Sequence, residues 1–388
     1  MRDSDLHNPL DRLSPDEIER IGEEFEAIGQ AVRDDLGDAD ARYIRNVIQF
    51  HRRLAAISRI VLVVGSRWRP TWLLGTAALS VAKIVENMEI GHNVLHGQWD
   101  WMNDPTIHSS TWDWDTASPA AAWKHSHNFV HHTYTNVIGK DKDVGYEILR
   151  VDPRQPWHPV YLLQPAYNVL LMALFEWGVA VHDLDFEKIR KGEKDMKQVK
   201  DELKAIGVKA RRQVLKDYVA YPALSGKGWK QTMFADVTAN IVRNFWAHAI
   251  IFCGHFPDQT YMFTEGEVRD ESRGAWYVRQ LIGAANIDGS NLFHFMSGNL
   301  SFQVEHHLYP DLPSSRYQQI APKVKAVCEK YGLPYNTGPF HRQWGTMQRT
   351  ILRLALPGGS PRPKPGAYVA PPPTPEELAL REQVPAFP

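Results

Sequence analysis

Histidine is concentrated in one short stretch of this sequence, between Trp123 and Asn136. The stretch reads WKHSHNFVHHTYTN and holds four of the 17 histidines in the chain. On an α-helix, His127 and His131 would share a face, with Cβ atoms roughly 5–6 Å apart. His132 would be turned by about 100° from His131. One helix face therefore suits one metal ion, while the adjacent imidazole is directed toward a second.

Two further clusters contain paired histidines, in the segments GHNVLHG and FQVEHHLYP. A single pair of histidines does not by itself indicate metal binding, but three clusters in one chain indicate a metal site. Neutral imidazole suits iron, zinc, copper and nickel, so the ligand type leaves the metal open. Because one ion takes about four such ligands, the clustered histidines predict two ions. These residues are His92, His96, His127, His131, His132, His306 and His307.

Other metal-binding classes fit the sequence less well. A ferritin-like di-iron bundle needs two Glu-x-x-His motifs and two further glutamates, whereas one such triplet, Glu89 to His92, stands near the clusters. A non-enzymatic metal transporter needs ligands along a path through apolar segments, and most histidines here lie outside them. The pattern favours iron that activates dioxygen, with a substrate apolar enough to be presented from a bilayer.

Composition narrows the class of protein further. The formal net charge of −1 gives no electrostatic case for binding nucleic acid. Two cysteines suggest neither a disulfide framework nor a cysteine-rich zinc site. Tryptophan, tyrosine and phenylalanine are abundant, which is typical of a large core or of a membrane-interface belt. Residues 1–40 are strongly charged and lack the apolar core of a secretory signal.

The predicted elements begin with two amphipathic helices in residues 1–53. The segment Ser14-Pro15-Asp16-Glu17 is a capping box with proline at the first helical position. A second helix is predicted from near Asp40 to Leu54. Apolar runs then predict an all-α, membrane-embedded helical bundle. The four runs span about residues 54–66, 71–90, 161–181 and 234–256.

The apolar runs are also expected to position the histidines. The second run leads into His92 and His96, and the fourth ends at His255, so both deliver imidazoles to one side of the bundle. The remaining clusters lie in polar segments that predict a folded cap. A helical hairpin buried in a soluble core is the alternative for the first two runs. The predicted divisions are a membrane domain over 54–347, with its cap at 91–157 and 257–347, and a proline-rich, disordered tail at 348–388.

These motifs resemble a known family. The HxxxH at 92–96, HNFVHH at 127–132 and QVEHH at 303–307 resemble the three histidine boxes of membrane fatty acid desaturases. The segments NMEIGHNVLHGQ, CGHFPD and GNLSFQVEHHLYPDLP are similar to bacterial acyl desaturases, and the resemblance covers roughly residues 45 to 345. It implies a multi-pass protein of the bacterial plasma membrane with a cytosolic cap holding two non-haem irons.

The resemblance also implies a reaction and its partners. Dioxygen and two electrons would remove two hydrogens from a fatty acyl chain, supplied as acyl-CoA or acyl-lipid, and leave a cis double bond. A hydroxylase of the same superfamily would share the site. The chain shows no haem-binding HPGG motif, so a separate ferredoxin or small cytochrome with its reductase would supply electrons.

The box histidines are the implied iron ligands, but the third box departs from the family pattern. Gln303 stands where many relatives have histidine, which is expected to leave one imidazole to be supplied from elsewhere. His255 is the first candidate because it ends an apolar run. Three others are also candidates, namely His125, His248 and His294.

Overall fold

The computed structural model describes residues 8–359 together with 364, 366 and 368, and this part of the chain is mostly helical. That confirms the predicted all-α class. One small parallel sheet pairs β1 (Asn286–Asp288) with β2 (Thr337–Pro339). The α-helices are α1 (Pro15–Asp34), α2 (Asp38–Gly65), α3 (Arg69–Val85), α4 (Asn93–Leu95), α5 (Ala120–Trp123), α6 (His132–Tyr134), α7 (Gln164–Ala173), α8 (Phe175–His182), α9 (Phe186–Lys191), α10 (Met196–Val214), α11 (Tyr221–Leu224), α12 (Trp229–His255), α13 (Arg273–Gly283), α14 (Asn291–Met296), α15 (Gln303–Leu308), α16 (Tyr317–Tyr331) and α17 (Phe340–Leu354).

The two amino-terminal helices start where the sequence predicts. Ser14 Oγ accepts the Glu17 backbone N–H at 3.3 Å, and the Glu17 carboxylate accepts the Ser14 backbone N–H at 2.8 Å. This reciprocal capping box satisfies two of the backbone donors that a helix start leaves free. The second helix begins at Asp38 but continues unbroken to Gly65, so it contains both the predicted amphipathic helix and the first apolar run.

Helices α2, α3 and α12 form the centre of the bundle. A short turn after Gly65 reverses the chain, and α3 packs back along α2. At Gly75 a Cβ atom would come within 2.8 Å of the Leu62 side chain, so a larger residue would require that side chain to move. Helix α12 packs along α3 and ends at His255, two residues before Pro257.

Charged side chains lie buried between these helices. Arg59 forms an ion pair with Asp217 at 2.6 Å and another with Asp236, and Lys83 contacts Asp217 at 2.8 Å. Opposite charges thus meet inside the bundle, where an unpaired ion would be costly. Within the described part of the chain, none of the helices combines the length and the apolar composition that crossing a membrane requires.

The segments around residues 161–230 differ in detail from the sequence prediction. The apolar run 161–181 is not one helix, because the backbone leaves helical geometry at Leu174, between α7 and α8. The charged segment that follows, 183–230, forms α9, α10 and α11, and a π-helical segment, Leu215–Ala220, joins the last two. It returns to the turn after α2, where Ser66 Oγ donates to the Gly228 carbonyl.

The predicted tail starts later than residue 348. Helix α17 continues to Leu354 because Met347, Ile351 and Leu354 recur at helical spacing and are fully buried. Beyond it, Lys364 Nζ donates to the carbonyls of Asp258 and Thr260. Most of the remaining tail lies outside the described residues.

Candidate metal centre

Two of the three histidine boxes lie on helices that contain a π-helical segment. Helix α3 continues as the π segment Glu86–His92 and then as α4, whose end carries His96. Helix α5 continues as the π segment Lys124–His131 and then as α6. Each i→i+5 turn inserts one residue relative to an α-helix, a distortion frequent at functional sites. The third box lies on α15, which is α-helical.

The boxes and the end of α12 bring eight imidazoles together. In each of two groups, the ligand nitrogens all lie within 4.8 Å of one another. The ring of His132 stands between the groups, with centroids 4.8 Å from His96 and 4.5 Å from His307. The first group is His92, His96, His127 and His306, and the second is His131, His255 and His307.

Histidines of the same box are divided between the two groups. The rings of His127 and His131 are stacked with centroids 4.9 Å apart, as their shared face predicts. They nevertheless belong to different groups, although both also lie near the Asp143 carboxylate. Adjacent His306 and His307 are divided between the groups in the same way. Each of these two elements therefore contributes to both halves of the cluster.

Hydrogen bonds on the outer side of the cluster fix which ring nitrogen carries the proton. His127 Nδ1 donates to Asp143 at 3.0 Å, and His131 Nδ1 donates to Asp141 at 2.9 Å. His306 Nδ1 lies 3.2 Å from the Tyr317 hydroxyl, which donates its own proton to a backbone carbonyl and so accepts from the imidazole. Such partners leave Nε2 with a free lone pair directed inward.

Two further rings show a similar arrangement, whereas Nδ1 of His132 and of His255 is buried without a partner. His92 Nδ1 lies 2.9 Å from Asn93 Oδ1, whose amide nitrogen donates to backbone carbonyls. His307 Nδ1 lies 3.0 Å from Gln280 Oε1. On the inner side, buried Nε2 atoms lack a hydrogen-bond partner, although buried polar atoms are normally paired. These are the Nε2 atoms of His96, His127, His131, His132 and His306.

The donor set fits metal ions. Converging, unprotonated imidazole nitrogens held by outer hydrogen bonds are the arrangement typical of histidine-ligated metals. His255 and His307 approach with Nε2 atoms 3.3 Å apart. Two nitrogens bound to one ion at about 2.1 Å, at angles between right and tetrahedral, would be separated by about 3.0–3.4 Å.

Gln303 completes the surroundings of the second group. Its amide nitrogen lies 3.0 Å from His255 Nε2 and 3.2 Å from His307 Nε2, whereas its amide oxygen is buried without a partner. Rotation of the amide by 180° would direct the oxygen toward the same two nitrogens. The side chain is therefore positioned to bring an oxygen ligand to the second group.

Burial determines the charge of most rings. It lowers the pKa of His92 to about 3, and the neighbouring imidazoles act in the same direction. Burial likewise holds the pKa of His96, His306 and His307 well below the usual range. His131 is the exception, since the charge and hydrogen bond of Asp141 outweigh burial and raise its pKa. Most of the rings are thus uncharged at neutral pH, the form that binds metal.

A cavity reaches the cluster from the bundle. Three of the imidazoles, His92, His127 and His255, form part of its wall. At one side Ser126 and Asp183 line both this cavity and a surface groove, and Ser126 Oγ donates to the Asp183 carboxylate at 2.6 Å, so the pair forms a wall between the two spaces. Apolar side chains line much of the rest, namely Met88, Phe175, Val179, Ala247, Ile251 and Leu300.

The other candidate histidines lie outside both groups. His125 is exposed and stacks on Phe129. His248 lies 3.1 Å from the Asn168 amide, and His294 Nδ1 lies 2.7 Å from Ser301 Oγ. His255, the first candidate from the sequence, is the one that the fold brings to the cluster.

Sequence reasoning missed the side chains that hold the rings from outside. Asp141 and Asp143 lie in the segment GKDKDVG, where two acidic residues soon after the second box were the available signal. Gln280 and Tyr317 carry no such local signal, because they lie on α13 and α16 and meet the cluster only through the fold.

Comparison with known proteins agrees with this geometry. The profile of the fatty acid desaturase family matches residues 67–339. The NADPH-dependent stearoyl-CoA 9-desaturase of Mycobacterium tuberculosis is 49% identical over 349 residues, covering 89% of this chain and 82% of the relative. The sn-1 linoleoyl-lipid 6-desaturase of Synechocystis is 26% identical, covering 70% of this chain and 76% of the relative. The chain is therefore an oxidoreductase of the fatty acid desaturase family.

Proposed function

We propose that this protein uses dioxygen and two electrons to introduce a cis double bond into a fatty acyl chain at a pair of non-haem iron ions. The observation that carries the proposal is the cluster of eight imidazoles, with inward nitrogens that are buried and unpartnered beside an apolar cavity. Membership of the desaturase family supports the reaction class.

The two groups would hold one ion each. His92, His96, His127 and His306 would bind the first ion, and His131, His255 and His307 the second. His132 is available to either group, and Gln303 would add an oxygen to the second. Imidazole binds several metals, but zinc has no redox chemistry, so oxygen-dependent desaturation favours iron. When bound, the iron pair would supply the activation of dioxygen that removes two hydrogens.

The protein itself would position the substrate and exclude water. The apolar wall of the cavity suits a saturated hydrocarbon chain and brings it against His92, His127 and His255. The acyl chain would enter from the groove by displacing the contact between Ser126 and Asp183, while its polar carrier stays outside. The outer partners of the rings, such as Asp141, would keep the ligands oriented during turnover.

The name of the Mycobacterium relative supports a proposal for the substrate carrier and the electron source. That protein is named for stearoyl-CoA and for NADPH, which supports an acyl-CoA substrate here and NADPH as the source of electrons. A separate ferredoxin, or a small cytochrome with its reductase, would transfer them. An acyl-lipid substrate is the alternative, and the Synechocystis relative is named for one.

We further propose that the bundle lies in the plasma membrane with the metal centre on the cytosolic side. The charges of the bundle pair with one another inside it, whereas large apolar side chains face outward. Such a surface suits contact with lipid chains. The outward residues include Ile57, Ile60, Val64, Leu73, Leu74, Phe234 and Phe245.

The decisive experiment is mass spectrometry of the fatty acids from a host that expresses this chain, combined with metal analysis of the detergent-purified protein. We expect new cis double bonds and about two iron atoms per chain. His306→Ala should lower turnover by more than about 100-fold, because changes to outer partners alone cost roughly 10–100-fold. His294→Ala removes a histidine outside both groups and should keep its iron and activity. Hydroxylated products, or one zinc and no iron in iron-replete cells, would contradict the proposal.

A further inference from the structure

One face of α12 forms a continuous wall of the cavity. His255, Ile251, Ala247 and Asn244 all line it. Their spacing of four, four and three residues keeps them within about 80° of one another around the helix. At about 1.5 Å per residue, Ala247 lies about 12 Å and Asn244 about 16 Å along the helix from His255. The cavity therefore extends along α12 from the metal cluster toward the centre of the bundle.

Polar groups that bond to one another close this inner end. Asn244 Nδ2 donates to the Ala173 carbonyl at 2.9 Å, and Asn244 Oδ1 accepts from Arg243 Nε at 3.0 Å. Arg243 forms an ion pair with Glu176, and Glu176 accepts from Gln213 at 2.7 Å. Asn244, Arg243 and Glu176 are all buried. Because moving any of them would break buried hydrogen bonds or the ion pair, the wall is expected to be rigid.

Ala247 stands one helical turn in front of this wall. Its small side chain leaves the cavity open between Ile251 and Asn244. An extended hydrocarbon chain advances by about 1.3 Å per carbon, given carbon–carbon bonds of about 1.5 Å. The distance along α12 from His255 to Ala247 thus corresponds to about nine carbons of an extended chain. The distance from His255 to Asn244 corresponds to about twelve.

We propose that Ala247, backed by the wall at Asn244, sets the greatest length of acyl chain that fits beyond the reacting carbons. This inference rests on the proposed desaturase function and adds a residue that determines specificity. A larger side chain at 247 would occupy the space of the last methylenes and leave the metal cluster unchanged. Each methylene that no longer fits should lower kcat/KM by roughly 10-fold or more.

The test compares Ala247→Phe with the wild-type protein on saturated acyl-CoA substrates from myristoyl to stearoyl, in membranes of the expressing host supplied with NADPH, ferredoxin, ferredoxin reductase and dioxygen. The iron content is measured on protein purified from the same membranes. We expect Ala247→Phe to keep its iron and its activity on the shortest chain and to lose activity progressively as the chain lengthens. The matched control is Val242→Phe, which adds the same ring to α12 at a side chain that is 40% exposed. It should retain the wild-type preference.

Three outcomes separate the two proposals. An active wild-type protein and an iron-loaded Ala247→Phe variant with the wild-type chain-length preference would overturn this inference alone. A wild-type protein that desaturates none of the substrates would overturn the proposed function itself. If Ala247→Phe does not fold, Ala247→Val provides the same comparison with a smaller group, and an unchanged preference in that variant would equally reject the inference.

Discussion

At the scale of single residues, five of the eight imidazoles have an outer hydrogen bond, and that bond matters as much as the ring. His127 and His131 are held by carboxylates, whereas His306 and His307 are held by neutral groups on distant helices. Carboxylate partners make an imidazole a stronger donor to a metal. Spacing in the sequence identified these rings as candidate ligands, but it contained no information about Gln280 or Tyr317, which reach them only in the folded chain.

His255→Ala is expected to lower iron content and turnover together. His255 supplies one of the three imidazoles of the second group, and its Nε2 lies 3.3 Å from that of His307. Metal analysis and turnover of the purified variant would measure both effects.

His248→Ala is the matched control, because His248 is a buried histidine on the same helix but bonds to Asn168. It should be less stable than the wild-type protein while keeping its iron and its activity per iron. A His255→Ala variant with the same behaviour would remove that residue from the metal centre.

At the scale of elements, the two π segments decide how the first two boxes face the cluster. On a regular α-helix, His127 and His131 would share a face, and His132 would point away from it. The π segment instead brings the His132 ring within 5.1 Å of His127 as well. Neither a capping residue nor the spacing of apolar residues predicts such a π turn, because its extra residue is stabilised by packing at the site.

Gly91→Ala tests the first π segment. A Cβ at Gly91 would lie 2.9 Å from the Glu86 carbonyl oxygen and 3.0 Å from the Trp114 Cβ, so the backbone next to His92 would have to move. We expect a lower melting temperature, equivalent to roughly 1–3 kcal/mol for an overpacked site, together with a loss of iron.

The matched control is Gly207→Ala in α10, where a Cβ would meet nothing within 4 Å. That change should leave iron content unaltered and stabilise the protein slightly, because alanine is the better helix former. Equal melting temperatures and iron contents for the two variants would show that the π segment tolerates a side chain.

At the scale of the whole molecule, buried ion pairs join segments that are remote in the sequence. Asp217, in the π segment between α10 and α11, contacts Arg59 of α2 and Lys83 of α3. These contacts tie the charged segment 183–230 to the bundle. Whether a charge in an apolar run is tolerated thus depends on a partner supplied by another helix.

Asp217→Asn should destabilise the protein by about 3–5 kcal/mol, because it leaves buried cations without their full complement of negative charge. Thermal unfolding of the purified protein in detergent would measure the loss. Asp104→Asn, which removes a solvent-exposed pair with Arg45, should give no resolvable change in melting temperature. Similar melting temperatures for both variants would mean that the buried pairs contribute little.

The sequence by itself determined the features that depend on neighbours within a few residues. These include the helical class, the capping box at Ser14, the three histidine boxes and a helix that ends at His255. Each follows from local backbone geometry, a cap or the spacing of apolar residues.

The tertiary structure alone decided how the imidazoles are divided. His306 joins His92 and His96 from more than 200 residues away in the chain, while its neighbour His307 faces the end of α12. It also decided that Asp143 contacts the rings and that α17 extends to Leu354. These outcomes depend on which segments pack together, and the burial that fixes such packing is a property of the whole chain rather than of any local pattern.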